Sequence, residues 1–87
     1  MTQLSFDRDI DKLLASATDE GVVIVAGWTV GIPKDDAVKY VQNYDSSPAE
    51  GFFKHGDQVI LSHSAGKIYL SNSEADAIVE LIREAYM

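Results

Sequence analysis

The sequence predicts an α+β fold, a three- to four-stranded, mainly antiparallel sheet with helices at both termini, in the order α-β-α-(β)-β-β-α. Three observations lead there. Two runs of alternating apolar and polar residues, 59–63 and 67–71, flank a glycine and read as a β-hairpin. A β-branched block, Val22-Val23-Ile24-Val25, reads as a central strand. Two stretches near the chain ends, 5–17 and 73–86, carry apolar residues at helical spacing.

The first of these helices rests on Phe6, Ile10, Leu13, Leu14 and Ala17, which fall on one stripe. Ser5 stands where an N-cap belongs, and Asp7 and Asp9 suit the positive end of the helix dipole. Asp19-Glu20-Gly21 breaks the pattern. Residues 22–30 then read as one strand, apolar on both alternating faces. Such a strand is covered on both sides, or is covered on one side and awaits a partner on the other. Gly27 inside it marks a bulge or a close backbone approach. Pro33 suits the start of a second helix, whose inner stripe is Ala37, Val38, Val41 and Tyr44, with Tyr40 beside it.

From Asp45 to Asp57 the chain turns irregular, with Asp45-Ser46-Ser47-Pro48 as a turn cluster and a short strand at Phe52-Phe53-Lys54. In the hairpin a two-residue loop at Ala65-Gly66 pairs His63 with Ile68 and Leu61 with Leu70. One face then carries Val59, Leu61, Ile68 and Leu70, and the other Ile60, Ser62, Tyr69 and Ser71. The last helix opens on a Ser71-x-x-Glu74 capping box, with Ser73 to Asp76 as the alternative, and buries Ala75, Ile78, Val79, Ile82 and Tyr86.

Eighty-seven residues make one compact domain, 1–87, close to the lower size limit for unaided folding. There is no cysteine to form a disulfide or a thiolate metal site, so stability has to come from apolar burial, for which 46% apolar residues suffice. The start Met-Thr-Gln-Leu has neither the basic residues nor the apolar stretch of a signal peptide, and no apolar run is long enough to span a bilayer; a cytoplasmic protein is expected.

Fourteen acidic residues against seven basic give a net charge of −7. Phosphate binding depends on lysine and arginine, so neither direct nucleic-acid binding nor attachment to an anionic membrane is expected. A basic protein surface is the natural complement, and a homo-oligomer is compatible with the small size.

No residue pattern points to an enzyme, a metal or a cofactor. Asp7 and Asp11, and Asp76, Glu80 and Glu84, lie one helical turn apart, but a carboxylate metal site on helices recruits a second helix and a histidine. Ser62, His63 and Ser64 resemble a nucleophile and base only superficially, because neighbouring strand residues point to opposite faces. His63 is expected at the core edge in a hydrogen bond. The glycines and lysine of Gly27 to Lys34 miss the spacing of a phosphate loop.

What folding does not explain is the acidic stripe Asp76, Glu80 and Glu84, where like charges at i, i+4 and i+8 repel, and a group of aromatics. Tyr69 is expected on the open face of the hairpin, and Phe52 and Phe53 cannot both point inward from an extended segment. Trp28 is expected in the core. Aromatics beside acids are the residue types that anchor protein interfaces. The expected partner-binding set is therefore Asp76, Glu80, Glu84, Tyr69, Phe52 and Phe53.

Small size, strong acidity and a compact α+β plan resemble the general type of phage- or plasmid-encoded inhibitors, anti-CRISPR and anti-restriction proteins among them. That likeness is one of type, with no motif behind it. It implies an acidic domain that occludes a basic, nucleic-acid-handling partner. An immunity protein or antitoxin that neutralises a cognate toxin, and a structural or assembly subunit, are the alternatives.

Overall fold

The computed structural model describes residues 2–7, 12–27, 29–44, 50–64 and 66–87. Four strands, β1 (Thr2–Asp7), β2 (Lys12–Ala17), β3 (Gly21–Ala26) and β4 (Thr29–Pro33), form an antiparallel meander. After α1 (Lys34–Gln42) a second meander follows, β5 (Gly51–His55), β6 (Gln58–His63) and β7 (Gly66–Ser71), and the chain closes with α2 (Asn72–Tyr86).

This corrects the expected order. The chain has two antiparallel sheets, and its only helices among the described residues are a short one in the middle and one at the C-terminus. Residues 5–17 are not helical. They contribute β1 and β2, paired from Thr2 opposite Ala17 to Asp7 opposite Lys12. The stretch satisfies both periods: Leu13, Ala15 and Ala17 are buried at every second position, while Leu14, which the helical stripe placed inside, is 42% exposed. Pairing decides between them. β3 is central and needs a backbone partner on each edge, and β2 supplies one of them. The supposed single strand 22–30 is likewise a hairpin, in which Gly27 takes φ 81° between β3 and β4. Ile10, Asp9, Asp11, Trp28 and the turn cluster at 45–48 lie outside the described residues.

Each sheet turns one apolar face to the helices. α1 packs on β3, β4 and β5, and α2 on β1, β2, β6 and β7, and the helices touch each other. The result is one continuous core containing Ile24, Ile32, Phe52, Leu61, Leu70, Ile78 and Ile82. α2 begins as expected: Ser71 Oγ accepts from Glu74 N–H at 3.2 Å, and Ser71 N–H donates to the Glu74 carboxylate at 2.8 Å. Leu81, absent from the expected stripe, is buried as well, because α2 is covered from several directions. Pro33 caps α1, and the first helical N–H, on Lys34, donates to the Glu20 carbonyl at 3.0 Å.

The hairpin of β6 and β7 has the expected faces but a different register. His63 lies opposite Gly66, Leu61 opposite Ile68 and Val59 opposite Leu70, so the turn comes one residue earlier than Ala65-Gly66 and every pairing slips by two. A slip of two preserves the alternation, so burial alone does not select between the registers. The turn does: Ser64 takes φ 55°, and its N–H donates to the Glu50 carboxylate at 2.6 Å, a contact from 14 residues away.

Gly21 is required by close approach of two strands. A Cβ there would stand 2.3 Å from the Ile32 carbonyl oxygen, whereas one on Gly31 meets nothing within 4 Å. Gly21→Ala is therefore expected to lower stability by roughly 1–3 kcal/mol, since backbone has to move, while Gly31→Ala stays within about 0.5 kcal/mol of the parent. Urea denaturation midpoints of the two variants measure the difference.

Candidate functional site

The aromatic residues expected to bind a partner separate by strand alternation. Phe52 points inward, is 1% exposed, and stacks on Tyr44 with ring centroids 5.4 Å apart. It is a core residue and is withdrawn from the surface set. Phe53 points outward. The pairing Phe53–Ile60 and Ile60–Tyr69 sets three side chains in a row straight across β5, β6 and β7, on the face turned away from the helices. Phe53 and Ile60 are partly exposed and Tyr69 is 52% exposed. Ile60 was not singled out in the sequence. Its membership of the row follows only from the register, although its alternation with Val59 and Leu61 already assigned it to the outer face.

The acidic stripe lies elsewhere. Asp76, Glu80 and Glu84 are all exposed on the solvent side of α2, opposite Ile78 and Ile82. Glu80 accepts a hydrogen bond from Arg83 at 3.0 Å, between side chains more than half exposed, which is worth little in stability but partly neutralises the stripe. Tyr69 alternates with Ile68 and Leu70, which face the helices, so β7 stands between the Tyr69 ring and α2. The sheet face that holds the row carries no carboxylate at its strand positions; Lys67 is its charged residue. The aromatic row lies on the outer face of the β5–β7 sheet and the stripe on the solvent side of α2.

One polar cluster had no sequence signal beyond the position of His63. The Tyr40 hydroxyl lies 2.7 Å from His63 Nδ1 and also bonds Glu50, which in turn accepts the Ser64 N–H. A carboxylate only accepts and a phenol has one hydrogen. The direction of the Tyr40–His63 bond follows the His63 tautomer: a protonated Nδ1 donates to the phenol oxygen, and an unprotonated one accepts from it. Burial above all, together with the charges of Glu50 and Asp36, pushes the Tyr40 phenol up to about 12. Such a phenol stays protonated at neutral pH and is a poor base or nucleophile. The cluster instead fastens α1 to the turn between β6 and β7. Ser62 and His63 point to opposite faces of β6, as the alternation requires. Gly27 and Gly31 sit in a turn and in mid-strand, so they form no phosphate loop. Among the described residues no three of His, Asp and Glu are grouped to hold a metal ion, and no helix is long and apolar enough to cross a membrane.

Comparison with protein-family profiles, with curated proteins and with solved structures finds no match to this chain.

Two outcomes check this geometry. Phe52→Ala is expected to cost about 3–5 kcal/mol through the cavity it leaves, against about 1 kcal/mol for Phe53→Ala, again by urea denaturation. The Tyr40 phenol has a raised folded pKa, so its contribution is complete below the ordinary value of 10.0 and is lost as pH rises toward about 12. Up to about 2–3 kcal/mol of stability is expected to disappear across that window. Tyr86, also raised by burial, adds to the loss. In Tyr40→Phe the alkaline loss shrinks, while stability at neutral pH falls by about 1 kcal/mol with the hydrogen bonds.

Proposed function

We propose that this protein is a small acidic protein-binding domain, acting as an inhibitor that occludes a basic, nucleic-acid-handling partner. The observation that carries the reading is the row Phe53–Ile60–Tyr69, an apolar strip on the sheet face turned away from the helices, whose end member is half exposed. The core does not need it. Aromatic and apolar groups of this kind are the anchors of interfaces, where a few desolvated side chains carry most of the affinity. The acidic side of α2, with the net charge of −7, supports a basic partner by raising the encounter rate. The two patches lie on different sides of the molecule, the row on the outer face of β5–β7 and the stripe on the solvent side of α2.

The partner is obtained by affinity capture from the native host, and kinetics then assign the patches. Asp76→Asn with Glu84→Gln leaves the Glu80–Arg83 pair in place and is expected to slow association and flatten its salt dependence. Tyr69→Ala is expected to speed dissociation about 30-fold, equivalent to about 2 kcal/mol. An unaltered association rate and salt slope in the first variant assigns the acidity to solubility alone and removes the support for a basic partner.

A further inference from the structure

We draw no further inference here: the strongest candidate, the apolar patch of Leu14, Val23 and Val25 on the outer face of the β1–β4 sheet, carries nothing because nothing in the structure shows what covers it.

Discussion

Two sheets of a small chain each have an apolar face to hide, and among the described residues α1 and α2 hide them. α2 meets this demand with a buried arc much wider than one stripe: Glu74, Ala75, Ile78, Val79, Leu81 and Ile82 are all covered, against β1 and β2 on one side, β6 and β7 on another, and α1 on a third. α1 is shorter and does the same with Ala37, Tyr40 and Val41 against β3, β4 and β5. Because the helices are shared, the sheets are stabilised together. A cavity at Ile78 or Ile82 weakens both at once, and hydrogen bonds between the sheets are not needed to couple them.

The same economy leaves the outer face of each sheet open. Helices used for the inner faces are not available for the outer ones, and strand alternation then puts every second residue in water. On most such strands these positions are polar. Here they include Phe53, Ile60 and Tyr69 on one sheet and Leu14, Val23 and Val25 on the other, while the charge is concentrated on helices and turns. The molecule therefore carries an acidic stripe along α2 and apolar side chains on the outer face of each sheet. The proposed partner surface on the β5–β7 face rests on that division.

Polar contacts fix details that apolar burial leaves open. Glu50 reaches Ser64 and Tyr40, and Tyr86 donates its hydroxyl to the Thr18 carbonyl at 2.5 Å, tying the C-terminal helix to the turn between β2 and β3. Each of these joins elements far apart in sequence. They hold the turns, and through the turns the register, and the register is what aligns Phe53, Ile60 and Tyr69 into one row.

The residues by themselves determined what depends on near neighbours. The capping box at Ser71 and Glu74, the break at Pro33, the short strand around Phe52-Phe53 and the two faces of the last hairpin are set by local chemistry and by alternation, and all are legible in the chain. The surface position of Tyr69 and of Asp76, Glu80 and Glu84 follows from the same periodicities. Tertiary structure decided what those periodicities leave degenerate. Residues 5–17 fit a helical stripe and an alternating pair of strands almost equally well, and the need of β3 for a neighbour on each edge selected the strands. A hairpin slipped by two residues buries the same side chains, and a hydrogen bond from the Ser64 N–H to the Glu50 carboxylate selected the register. Phe52 and Phe53 had to point opposite ways, and only the helices packed on one side of β5 made the first a core residue and the second a surface one.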